Sequence, residues 1–141
     1  MDAFKIIGSG AIVRRFVECF ASDYPDVAFA IYARGAAFDF PDAENVQVLS
    51  IKDFAVDARP TFVCCSVNEE DILRKSKGDR SRNIVAGANV KLLRSLIERG
   101  IFNHGLYFVL TNPSEVIGQC IADQTGNPSV YSLGLSVDQL R

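Results

Sequence analysis

Short apolar runs rich in β-branched and aromatic residues alternate along this chain with longer segments of helical period, which leaves few ways to fold. Phe4-Lys-Ile-Ile7 reads as a first strand and ends at Gly8-Ser-Gly10. In the next stretch Ile12, Phe16 and Phe20 share a helical row with Val13 and Val17 beside it, while Arg14, Arg15 and Glu18 fall elsewhere. Residues 27–33 are apolar throughout, as in a strand covered on both faces. Residues 46–49 predict a short third strand and 61–66 a fourth. After a polar loop over 68–80, the pattern of 81–99 is helical, with Val85, Asn89, Leu93 and Ile97 in register and Gly100 as a stop. Residues 106–110 predict a fifth strand. Asn112-Pro-Ser114 opens another helix, with Val116, Ile117, Cys120 and Ile121 expected inward and Gly126 able to close it. A sixth strand near 129–133 leads into 136–141, which reads as the start of a helix.

This order predicts the α/β class: a doubly wound parallel sheet of about six strands with right-handed crossovers. The stretch between the second and fourth strands is short, so one crossover helix is expected to be reduced to a loop. A length of 141 residues suits a single domain over 1–141.

Composition narrows the partners. The formal net charge is −2, from 15 basic and 17 acidic residues, which argues against nucleic acid, whose phosphates require a basic surface. No stretch approaches the roughly 20 apolar residues that cross a bilayer. Asp2 precedes the first apolar run and the Arg pair follows it, the reverse of a secretory signal, so a cytoplasmic protein is expected. Cys19, Cys64, Cys65 and Cys120 form no C-x-x-C pair, and with His104 as the single histidine no metal site is expected. Adjacent Cys64 and Cys65 should point to opposite faces of a strand as small buried hydrophobes.

The first turn, Gly8-Ser-Gly-Ala-Ile-Val13, is similar to the dinucleotide-binding pattern G-x-G-x-x-G. Its first glycine permits a tight turn, its second lets backbone amides approach a diphosphate, and the helix amino terminus offers free N–H groups. Gly8, Ser9, Gly10, Ala11 and Ile12 are therefore the candidate diphosphate residues. Valine replaces the third glycine, a substitution expected to push helix and strand apart or narrow the site. The acidic residue of the pattern, about 20 positions on, is also missing. Arg34 stands nearby instead, suited either to the 2′-phosphate of NADP or to plain solvation beside a glycine turn.

Further motifs follow: Asp79-Arg-Ser-Arg-Asn83 before a helix with Ala88-Asn-Val90, then Thr111-Asn-Pro113, then Gly134-Leu-Ser-Val-Asp-Gln-Leu-Arg141. In this order, behind a glycine-rich turn, they resemble the lactate and malate dehydrogenase family, over its cofactor-binding half alone. The resemblance implies a Rossmann-type fold, NAD or NADP as cofactor, and roles for matched residues. Asn112 would bond substrate near the nicotinamide, with Leu110 and Thr111 lining the cofactor and Asn89 among its contacts. Arg82 would polarise the substrate carbonyl from a mobile loop, with Arg80 as a competing register. Asp138 would orient the catalytic histidine, and Arg141 would hold the substrate carboxylate as a fork.

Departures from the family accompany the matches. Its histidine lies beyond this motif, and His104 precedes the fifth strand, at the sheet end away from ligands. Neither Ser76 nor Lys77 matches the residues that set acid specificity, and Ser66-Val67 replaces the usual alanine–glycine pair and crowds the cofactor channel. The expectation is a cofactor-binding domain inactive alone, acting on a 2-hydroxy or 2-oxo acid only when a substrate domain is supplied. Apolar area left open by that missing half should drive homo-oligomerisation. The alternatives are a non-catalytic nucleotide-binding or protein-interaction module on the same fold, and, less favoured, a nicotinamide-dependent glycosidase relative sharing the Asn-Pro turn.

Overall fold

Strands form where β-branched and aromatic residues run together, and helices where apolar residues recur each turn. A computed structural model describes residues 2–34, 43–65, 82–111 and 113–133. In chain order its elements are β1 (Asp2–Ile7), α1 (Ala11–Asp23), β2 (Ala28–Ala33), β3 (Val46–Ser50), β4 (Thr61–Val63), α2 (Arg82–Glu98), β5 (Tyr107–Val109), α3 (Ser114–Thr125) and β6 (Val130–Ser132). The six strands form one sheet in the order β3-β2-β1-β4-β5-β6, and every pairing is parallel. This is the doubly wound α/β arrangement expected from the alternating pattern. The chain winds outward from β1 to β3, then from β4 to β6 on the other side, so the winding reverses between β1 and β4.

Alternation along the strands gives two cores. On one face Ile6, Phe29 and Ile31 pack against Val13, Val17 and Ala21 of α1. On the other, Ile7, Tyr32, Val63 and Val109 meet Leu93 and Leu96 of α2 and Ile117 and Ile121 of α3. Cys64 joins the first core and Cys65 the second, so the paired cysteines do point to opposite faces.

The shortened crossover lies between β3 and β4, where residues 51–60 contain a single 3-10 turn, Ile51–Asp53. Ile51 is buried there, and the Phe54 ring meets Tyr32 edge-on at 5.0 Å.

Two helix positions differ from expectation. Ile12 is 71% exposed and Val116 is 53% exposed, because the buried rows are Val13, Val17, Ala21 in α1 and Ser114, Ile117, Gly118, Ile121 in α3. Both helices are rotated slightly from the phase that the apolar pattern implied. In α3 a cause is visible: Gly118 faces the Ser132 hydroxyl so closely that a Cβ would collide with it. Gly126 ends α3 in the left-handed region, φ +73°, as expected of a helix stop.

Candidate functional site

All six strands run the same way, so the carboxyl ends of β1, β2, β4 and β5 open at one edge, and in such sheets ligands bind where the winding reverses. Gly8-Ser9-Gly10 lies at that point, between the end of β1 and the first turn of α1. The amide of Gly8 donates to the Tyr32 carbonyl at 3.0 Å, which ties the turn to β2. Gly8 has φ +137°, and a Cβ there would lie 2.8 Å from the Cys64 carbonyl carbon and 2.9 Å from the Cys65 nitrogen. The sheet itself therefore demands this glycine.

Gly10 differs. It caps α1 with extended backbone, and a Cβ on it would meet nothing within 4 Å. No side chain caps the helix, and no acidic residue lies in its first turn. The first intrahelical bond runs from the Arg14 amide to the Gly10 carbonyl at 3.0 Å. The amides of Ala11, Ile12 and Val13 thus lack an intrahelical acceptor, and they carry the positive end of the helix dipole. Open space above Gly10 and uncapped amides beneath it suit a diphosphate.

Val13 is 1% exposed and packs in the α1 core, so its bulk is directed beneath the helix rather than into this opening. Beside it lies an open-sided apolar cavity of about 320 Å³. Phe16 and Ile12 of α1, Phe62 and Cys64 of the β4 segment, and Leu110 after β5 contribute to its walls.

Arg34 follows β2 and is exposed, and its guanidinium is felt by the Cys65 thiol across the edge. Burial nevertheless pushes Cys65 up to about 11, against the pull of Arg34 and of a hydrogen bond to Thr111. Burial also pushes Cys64 up to about 12, with Cys65 adding to the effect. Both thiols are thus held protonated in the closed segment at neutral pH, and either becomes nucleophilic only when the segment opens to solvent.

Thr111 is buried, and its hydroxyl donates to the Cys65 carbonyl at 2.7 Å, with the Val63 carbonyl at 3.3 Å. Leu110 is half-buried next to it. Asn89 is 1% exposed, on the inward row of α2 with Leu93 and Ile97. Arg82 is the first residue of α2, and its side chain lies outside the described residues. Asn112, Asp138 and Arg141 also lie outside them, as do Ser66, Val67, Ser76, Lys77 and Arg80. The structure thus brings Gly8, Ser9, Gly10, Ala11, Ile12, Arg34, Leu110 and Thr111 to one edge of the sheet. His104 is exposed in the turn before β5, at the opposite edge. Among the described residues no three or more metal-ligating side chains cluster, and no helix is long and apolar enough to cross a membrane.

Sequence reasoning passed over Lys5. It sits in β1 with its side chain 1% exposed, and its ammonium contacts the Ala55 carbonyl, the Asp57 carboxylate at 3.1 Å and the Phe54 ring at 4.5 Å. The signal was present as one cation inside an apolar run, with Asp57 and Arg59 in the loop to come.

No protein-family model and no curated protein sequence matches this chain. The fold does have a counterpart among solved structures. A lactate dehydrogenase enzyme from a Medee basin deep-sea metagenome library superposes with a TM-score of 0.66 at 17% identity. The match covers 96% of this chain and 46% of that one, so this chain spans about half the length of its counterpart. The likeness is one of fold: a parallel, six-stranded, Rossmann-like sheet shared with a dehydrogenase.

Proposed function

We propose that this chain is the cofactor-binding domain of a divergent lactate/malate dehydrogenase-like oxidoreductase, with NAD or NADP lying across the reversal between β1 and β4. The observation that carries the reading is Gly10, an uncapped helix start at that reversal with free space where a side chain would stand. Backbone amides from Ser9 to Ile12 would hold the diphosphate, Arg34 would meet the adenosine end, and Leu110 and Asn112 would flank the nicotinamide. Asn89 would support that region from α2. When bound, the nicotinamide supplies or accepts the hydride; this chain's residues bind it, orient it and limit water around it.

In this reading Arg82 polarises the carbonyl of a 2-oxo acid, Asp138 orients a histidine, and Arg141 grips the acid's carboxylate. The histidine belongs to a substrate-binding half, so turnover needs that half. The stacked rings of Phe62, Phe108 and Tyr131 on the α1 face, with Tyr131 51% exposed, support self-association in its absence. A cytoplasmic location accords with four cysteines that stand as free thiols. Calorimetric titration with NADH and NADPH tests the proposal: saturable binding of at least one is expected, and no saturation by either at millimolar cofactor removes it.

Gly8 favours a second reading, a non-catalytic nucleotide-binding or interaction module. Its need for glycine is fully met by contact with the β4 segment, so the pattern could persist without a ligand. The same titration separates a dinucleotide site from an interaction module that binds none.

A further inference from the structure

The carboxyl end of β4 forms the floor of the crevice, and its hydrogen bonds are completed in an unusual way. The Cys64 amide donates to the Ile7 carbonyl at 2.8 Å, continuing the ladder with β1. On the β5 side the amides of Leu110 and Thr111 both go to the Val63 carbonyl, at 2.9 and 3.2 Å. Pro113 has no N–H to offer. Among the described residues, the next carbonyl, that of Cys65, is met by a side chain: the Thr111 hydroxyl, at 2.7 Å and buried. The segment held this way presses against Gly8 with no room for a Cβ. One hydroxyl thus locks β4 to β5 directly under the glycine turn.

We infer that Thr111 is a positioning residue, its hydroxyl fixing the Cys64–Cys65 segment and through it the Gly8-Ser9-Gly10 turn against which a dinucleotide lies. The inference rests on the reading of that edge as a dinucleotide site, but its geometric half can be tested without any ligand. Thr111→Val keeps the shape and removes the hydroxyl that the Cys65 carbonyl accepts from, whereas Thr111→Ser keeps the hydroxyl and drops the methyl.

The full 141-residue chain and both variants are compared in two measurements. The first is the rate of iodoacetamide labelling at each cysteine, resolved by peptide mass spectrometry well below the melting temperature. The second is calorimetric affinity for NADH. For Thr111→Val, Cys65 labelling is expected to rise about tenfold with Cys120 unchanged, and NADH affinity to fall by about the same factor, the scale of one buried hydrogen bond. Thr111→Ser should restore both toward the parent values. Unchanged Cys65 labelling in Thr111→Val overturns the inference, as does an equal rise at Cys65 and Cys120, which marks global loosening. Equal defects in the two variants also overturn it, because packing of the methyl would then be the cause. If the parent chain binds no NADH, the dinucleotide reading fails while the labelling comparison still decides whether Thr111 holds the segment.

Discussion

The ammonium of Lys5, in the middle of β1, lies 3.1 Å from the carboxylate of Asp57 in the link between β3 and β4. Arg59 holds the same carboxylate, with its terminal nitrogen 2.6 Å from the oxygen that Lys5 meets. A doubly wound sheet normally covers this region with a crossover helix, whose apolar face seals the strands. Here an extended segment and one 3-10 turn take its place, with fewer apolar side chains to contribute. Lys5 replaces some of that packing by reaching out of the sheet to the Ala55 carbonyl, the Phe54 ring and Asp57.

Breaking this pair should therefore cost more than deleting it. Asp57→Asn leaves the Lys5 ammonium buried without its counter-charge and is expected to destabilise by about 1–3 kcal/mol, less than a fully buried pair because Asp57 is 41% exposed. The double variant Lys5→Met, Asp57→Asn, with an apolar chain of similar volume, should lie closer to the parent protein than Asp57→Asn does. Urea unfolding of the three proteins measures this; a double variant weaker than Asp57→Asn contradicts it.

Acid should act through the same carboxylate. Arg59 beside it, with help from Lys5, holds Asp57 well below its ordinary value of 3.8. The unfolded chain therefore takes up this proton first, and stability falls as pH drops below 3.8 toward the lower folded value. Between about pH 4 and about pH 2 the urea midpoint of the parent chain should fall more steeply than that of Asp57→Asn. Parallel slopes would remove Asp57 from the acid response.

The order of strands and helices was legible in the sequence because period-2 and period-3.6 patterns alternate cleanly, and parallel winding follows from that alternation. Phase was harder. A helical row gives spacing but leaves its rotation open, which is why Ile12 and Val116 prove exposed while Val13 and Ile117 are buried. The end of β4 also eluded the pattern: residues 61–66 are suitably apolar, yet the strand stops at Val63, after which the Cys64 amide donates to the Ile7 carbonyl, the Cys65 carbonyl accepts from Thr111, and the Cys64–Cys65 backbone lies under Gly8. Gly8 and Gly10 look alike in the motif, but one answers to the sheet and the other faces open space. Such a division depends on contacts from residues more than fifty positions away, which no local spacing encodes.

Alkaline pH should destabilise through Cys65. Its thiol ionises at about 11 in the folded protein against an ordinary 9.0, so the unfolded chain loses this proton first as pH rises. The protection is complete below 9.0 and disappears as pH passes through about 11, with a slope of up to about 1.4 kcal/mol per pH unit for one proton. Cys65→Ala lacks this proton. Its stability should start lower at neutral pH, from the lost packing, and decline less steeply above 9.0 than the parent. An equally steep decline would assign the alkaline response to other groups, among them Tyr107, which burial pushes up to about 12.

Arg34 offers a test of cofactor choice. An exposed guanidinium at the end of β2, with no acidic residue in the adjoining Tyr32-Ala33-Arg34, is suited to a phosphate on the adenosine ribose. Arg34→Ala is expected to lower NADPH affinity about tenfold and NADH affinity by less than about threefold, a difference set by one charge-assisted contact. Calorimetry with both cofactors reads the ratio. An equal loss for the two would place Arg34 at the diphosphate that they share.

The two glycines of the turn should separate folding from binding. Gly8→Ala places a Cβ 2.8 Å from backbone of the β4 segment at φ +137°, so the strands must part. It is expected to destabilise by more than about 2 kcal/mol, visible as a lower urea midpoint whether or not cofactor is present. Gly10→Ala meets no neighbour within 4 Å and has ordinary extended backbone, so its unfolding should stay within about 1 kcal/mol of the parent, the preference of a helix cap for glycine over alanine being the main cost. The new methyl would instead occupy the space where a diphosphate approaches the first-turn amides, and NADH affinity should fall at least tenfold, roughly the effect of losing one close backbone contact. A stable Gly10→Ala variant that binds NADH as tightly as the parent would show that the diphosphate does not sit over Gly10, and the cofactor would then have to be held elsewhere along the sheet edge.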